Sequence, residues 1–228
     1  MKQMQEAQDS LRQINGLQFC KLLGSGAGDG FSIMPDLSTY AFLGVWQTDH
    51  HAKQAIQDAP VLQEMKAKAK FHFTIFMQPV ASKGSWDGQN PFIVADNKNF
   101  TGPVAVLTRA SIARNKLLTF WKNVPQVSRR LKAFEEGIYF SKGIGEFPLL
   151  QQATFSLWEN REAMVNYAYK SKKHREMIRK TRELGWYKEE MFAEFKPYFL
   201  ENQWPGMDMK NLDALLSSTH EKEAGQVQ

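Results

Sequence analysis

The 228-residue chain has one cysteine, Cys20. A single thiol excludes an intrachain disulfide and any multi-cysteine metal cluster, and it fits a reducing cytoplasm. Long apolar runs are missing too: no stretch approaches the roughly 18 apolar residues that a membrane-spanning helix needs. The opening MKQMQEAQDSLRQI is polar and lacks the apolar centre of a secretory signal. Nucleophile-elbow motifs and zinc-ligand spacings are absent, so hydrolytic chemistry has no support. GSGAGDG (24–30) invites comparison with a phosphate loop, but its glycines are out of G-x-G-x-x-G register and a strand pattern follows. No helix N-terminus would face a phosphate there, and a flexible loop at a pocket mouth fits better. There is no aromatic-and-basic nucleic-acid module. The net charge of +5 is left to a solvated surface, an anionic membrane surface or an acidic electron donor. The expectation is a cytoplasmic protein that could touch the inner membrane peripherally.

Apolar material is plentiful: 43% of residues are hydrophobic and 12% aromatic, enough for a substantial core. That material carries an internal repeat. TYAFLGVWQT (39–48) resembles QATFSLWEN (152–160) at an offset of 112, which matches Trp46 with Trp158, Ala41 with Ala153, Leu43 with Phe155 and Val45 with Leu157. Thr48 then falls on Asn160, and both are good helix N-caps. Each copy reads as a strand ending in tryptophan, a short turn and a helix. Upstream, FCKLLG (19–24) resembles FSKGIG (140–145) at an offset of 121.

FHFTIFMQPV (71–80) and MFAEFKPYFL (191–200) read as closing strands. In GPVAVLTRA (102–110) alternation puts Val104, Val106 and Thr108 on one face and Ala105, Leu107 and Arg109 on the other. A helix is expected over roughly 115–135. The second half then has the order β-α-β-β-α-β of a split βαβ unit, and the first half lacks the initial strand and helix. The expected fold is α+β, with two ferredoxin-like halves forming a dimeric α/β-barrel-type domain. The expected division is a polar extension (1–15), a first half (16–85), a linker (86–101), a second half (102–204) and a tail (205–228).

Two residues stand out as candidate site residues. In AYKSKKHREMIRK (168–180), helical spacing puts His174 on a face with Met177, Ile178 and Thr181, while the surrounding lysines and arginines point elsewhere. An inward imidazole is either a hydrogen-bonded core residue or an axial ligand for a haem iron. Arg109, mid-strand, is either half of a structural ion pair or a pocket cation that steadies an oxygen species. His50 and His51, adjacent at a helix start, point apart and make a poor metal site; His72 is expected to face away from Phe71 and Phe73. Cys20 reads as a small core residue. Trp46, Trp121, Trp158, Trp186 and Phe155 read mostly as core, some of them lining a pocket for a flat or long apolar ligand.

The stretches LLGSGAGDGF, TYAFLGVW, GPVAVLTRASI, FWKNVPQVSRRL, GIGEFPLLQQATFSLW and HREMIRKTRELGWYKEEMFAEF, in that order from about Gly16 to Trp204, resemble the spheroidene monooxygenase family of carotenoid biosynthesis. The resemblance implies a dimeric α/β-barrel-type fold related to haem proteins such as chlorite dismutases and aldoxime dehydratases. It implies a haem b enzyme that uses O2 and electrons from a reduced ferredoxin to oxidise an acyclic carotenoid near its end. Two hydroxylations at one carbon would give a ketone. His174 corresponds to the haem ligand and Arg109 to the arginine of VLTRA. A homo-oligomer and no nucleic-acid partner are expected. The rival readings are a haem enzyme of another class, dehydratase or peroxidase-like, and a non-enzymatic haem or apolar-ligand carrier.

Overall fold

The computed structural model describes residues 9–26, 35–94, 100–123, 137–147, 149–170 and 184–202. His174, the GSGAGDG residues after Gly26, most of the expected 115–135 helix and the tail lie outside the described residues. The strands are β1 (Leu17–Gly26), β2 (Pro35–Trp46), β3 (Thr74–Gly84), β4 (Val104–Ile112), β5 (Ile138–Phe147), β6 (Gln151–Trp158) and β7 (Tyr187–Glu201). The helices are α1 (Asp49–Asp58), α2 (Pro60–Lys68), α3 (Leu117–Asn123) and α4 (Arg161–Lys170).

All seven strands join one sheet in the order β2-β1-β5-β6-β4-β7-β3, and every neighbouring pair is antiparallel. The sheet is curled. Phe73, just before β3, meets Phe140 of β5 with ring centroids 5.1 Å apart, although three strands separate β3 from β5 in the sheet. Alternation explains what fills the curl. Leu23, Ala105, Leu107, Ile144, Ala153 and Leu157 point inward, and with Met191, Ala193 and Phe195 of β7 they form one buried cluster. Their partners on the opposite faces pack under helices: Leu22 against Ala55, Ala59 and Leu62 on one side, Val104, Val106 and Trp158 against Met164 on the other.

The repeat is visible in local detail. β2 and β6 both end at their tryptophan, as expected. Thr48 accepts from the His51 amide to cap α1, and Asn160 accepts from the Ala163 amide at 2.8 Å to cap α4. Other boundaries moved. The strand expected at 71–80 runs from Thr74 to Gly84, with Pro79 inside it. Since β3 pairs only with β7, a proline can sit where its missing donor is not needed. His72 therefore precedes the strand, and its Nε2 lies 2.9 Å from the Asn202 amide group. The stretch expected to be a linker carries two core residues: Trp86 is 0% exposed and Phe92 5%.

Candidate functional site: a charged cluster at the closed end of the barrel

The inward face of β4 ends in a charge. Leu107 is followed at the next inward position by Arg109, which is 3% exposed. A guanidinium so placed needs partners, and the neighbouring strands supply them. Glu189 of β7 accepts directly from Arg109 Nη1, and Glu146 of β5 lies 3.5 Å from Nη2. The face of the guanidinium lies 5.3 Å from the centre of the Trp86 ring. Its Nε is buried without a hydrogen-bond partner.

Lys21 of β1 completes the cluster, bridging Asp87 and Glu146, the latter at 2.5 Å. Burial works against its charge, but the bonds to Asp87 and Glu146 outweigh that and hold its pKa above the usual lysine value. Trp86 is the lid of this end. Its Nε1 donates to Glu146 at 2.9 Å, and its ring stands edge-on to Phe19 with centroids 5.7 Å apart. Glu189 also receives the Gly88 amide at 2.7 Å and the Ser85 hydroxyl at 3.0 Å. Burial alone would raise its pKa; the Gly88 amide, Arg109 and Ser85 overcome this and hold it at about 2. Two cations and three carboxylates thus lie beside the apolar core cluster, and Trp86 belongs to both. These charges are paired with one another, so the charged cluster can wall and orient.

Further round the lumen, Lys142 of β5, the counterpart of Lys21 in the repeat, pairs with Asp36 of β2 at 3.3 Å. Hydrogen bonds from the hydroxyls of Ser38 and Thr39, with Lys142 adding to them, hold the Asp36 carboxyl well below the usual carboxylate range. On the outer side of β3 and β7 lies a cleft of about 410 Å³, lined by Val80, Ala81, Ser82, Val94, Phe100, Arg161 and Glu194. The Arg161 guanidinium reaches the buried Glu194 carboxylate at 3.0 Å there.

Of the two candidate residues, Arg109 is placed in the lumen and ion-paired, while His174 lies outside the described residues. His51 is engaged with Thr48, His72 with Asn202, and Cys20 packs under α1 and α2, where burial pushes its thiol pKa up. No described histidine or cysteine belongs to the lumen cluster, and no group of three metal-ligating side chains occurs among the described residues. Reasoning from sequence missed Lys21, Asp87, Glu146, Glu189 and above all Trp86. The signal was present for Glu146 and Glu189: each stands two positions from an inward core residue, Ile144 and Met191, so strand alternation puts it on the same face.

Known proteins resemble this chain in kind. A spheroidene monooxygenase of Rhodobacter capsulatus is 35% identical over 195 residues, covering 84% of this chain and 80% of that protein. Spheroidene monooxygenases of Rubrivivax gelatinosus and Cereibacter sphaeroides are each 32% identical over 84% of this chain, covering 73% and 59% of their own lengths. No protein-family model matches. Among solved structures, a putative monooxygenase of Fusobacterium nucleatum overlaps 89% of this chain and 88% of its own at 13% identity and a TM-score of 0.40. A curled antiparallel sheet over a buried apolar cluster, in a chain similar to three monooxygenases, puts the protein among the monooxygenases. Within that class, the chain belongs to the spheroidene monooxygenase family.

Proposed function

We propose that this protein is a haem-dependent monooxygenase that oxidises a long acyclic carotenoid near its end to a ketone. The observation that carries the reading is the 35% identity to a spheroidene monooxygenase across most of both chains. The inner face of the sheet supports it: a polyene needs apolar surroundings with few polar groups, and the side chains gathered there are of that kind. Each hydroxylation places one atom of dioxygen on carbon and releases the other as water, with electrons from a donor such as a reduced ferredoxin. Haem, when bound, supplies the activation of dioxygen. The apolar side chains of the core cluster exclude water, and Arg109 is fixed beside them by Glu189, Glu146 and Trp86.

His174 would hold the haem iron, because the resemblance points there, while His51 and His72 are engaged with Thr48 and Asn202. Duplication of a ferredoxin-like unit is part of the same proposal. The order β5-β6-β4-β7 is that of a split βαβ unit, and Gly24 pairs with Gly145, its own counterpart at the repeat offset of 121. Protein produced with a haem precursor should show a Soret band that His174→Ala shifts or abolishes, and it should convert an acyclic carotenoid to a ketone only with O2 and a reductant. An unchanged spectrum in His174→Ala removes the ligand assignment. Turnover without O2 replaces the monooxygenase with another haem chemistry.

A further inference from the structure

We propose that the face where α3, the β5–β6 turn and the residues leading into β7 meet docks on an anionic lipid bilayer. What the docking is for, drawing a long apolar substrate out of the membrane, rests on the function proposed above. The docking itself rests on a surface that is apolar and basic at once.

Three segments converge there on one buried cluster, Ile112, Phe120, Trp121 and Trp186. Trp121 of α3 donates its Nε1 to the Leu149 carbonyl in the turn at 3.0 Å. The Ile112 amide donates to the Leu150 carbonyl and the Ala113 amide to the Trp186 carbonyl, each at 2.8 Å. Each segment also carries a large apolar side chain that the cluster leaves outside: Leu118 is 80% exposed, Phe147 64% and Leu184 44%. Helical spacing explains the first of them. Leu117, Phe120 and Trp121 face the cluster, so Leu118 is turned out, with the exposed Lys122 one turn further along the same side. Single exposed leucines are ordinary; three large apolar side chains on adjoining segments mark a contact surface.

The charge says what the contact is with. No aspartate or glutamate stands between Asp96 and Glu135 in the sequence, so α3 and its approach carry Arg114, Lys116 and Lys122 without an acid beside them. Among the described residues no carboxylate pairs with these three cations. Glu146 and Glu189 are turned inward onto Arg109, which leaves Glu190, exposed opposite Ala110, at the border of the face. On α1 and α2 the pattern differs, for Lys53 is paired with Asp49 and Lys68 with Glu64. Anionic headgroups above acyl chains answer both properties of the face, whereas an acidic protein answers only the charge. No helix among the described residues is long and apolar enough to cross a membrane, and this contact needs none: side chains enter the boundary between headgroups and acyl chains.

The test is sedimentation of the full chain with vesicles of equal parts phosphatidylcholine and phosphatidylglycerol, and with phosphatidylcholine alone, no carotenoid being present. The chain should bind the mixed vesicles, and raised salt or the absence of phosphatidylglycerol should weaken binding several-fold. Leu118→Ser and Phe147→Ser should each weaken it about tenfold. Arg114→Gln/Lys122→Gln should weaken it about fivefold for each charge removed. Leu37→Ser, at a residue 77% exposed on β2, and Lys68→Gln on α2 make the same kinds of change elsewhere and should leave binding nearly unchanged. Equal losses at the face and at these control positions would overturn the proposal, and so would vesicle binding by no form. Absent vesicle binding together with capture by an immobilised ferredoxin, lost in Arg114→Gln/Lys122→Gln, would give the face to an acidic protein instead. Vesicle binding as expected without any carotenoid turnover would keep the docking and remove the function proposed above.

Discussion

The β1–β2 and β5–β6 hairpins share a sequence pattern and take different positions in the sheet. Both place a lysine inward, both end in tryptophan, and both hand over to a capped helix. The second hairpin lies inside the sheet with β4 beside it, and Leu157 and Trp158 are 0% and 3% exposed. The first lies at the edge, and the matching Val45 and Trp46 are only half-buried. A hairpin with strands on both sides buries its residues; one at the edge of the sheet leaves the matching residues half-buried. Identical patterning therefore does not bring identical burial, because the neighbour decides.

The contrast can be broken in order of size. Leu157→Ala should cost about 3 kcal/mol, because the space it leaves is closed on all sides. Val45→Ala, its counterpart, should cost about 1 kcal/mol, and chemical denaturation of the two variants measures the gap. Equal losses would mean that the edge is as tightly packed as the interior.

Acid should find the closed end next. The Glu189 carboxyl is held at about 2 against a usual value of 4.5. A depressed carboxyl contributes stability that is present above its unfolded value and lost as the pH falls through the folded one. The melting temperature should therefore fall between about pH 4.5 and 2, and Glu189→Gln should flatten that part of the curve. Lys142–Asp36, the lumen's other pair, acts in the same direction, since Asp36 is also depressed. The double variant Glu189→Gln/Asp36→Asn sharpens the comparison.

The smallest effects concern the caps. Thr48→Ala and Asn160→Ala should each cost about 1 kcal/mol, and nearly equally, because the two helix starts keep the same geometry although their hairpins do not. Unequal losses by thermal melts would show that burial of the hairpin reaches into its helix.

What was legible in the sequence was local. The tryptophan-terminated strands, Thr48 and Asn160 as caps, and the inward face of β4 through Arg109 all follow from alternation and side-chain chemistry within a few residues. Illegible was anything set by strands far apart in sequence. Trp86 sits in WDGQN, whose Gly and Asn read as a connection, and only the closure of the barrel brings Glu146, sixty positions later, to its indole nitrogen. Arg109 was open to an ion pair, but its partner Glu189 is eighty residues away and could not be chosen without the sheet order.

Tyr198 donates its hydroxyl to Asp49 at 2.5 Å, and Lys66 reaches Glu201 at 3.3 Å, so the helices that follow β2 are fastened to β7. With β1 stitched to β5 and β3 to β7, the early and late described strands are woven through each other. Two separate polypeptides, one ending before Phe100 and the other starting there, should consequently find each other and reassemble when co-expressed. The barrel would then serve as a split reporter whose halves have little reason to fold apart.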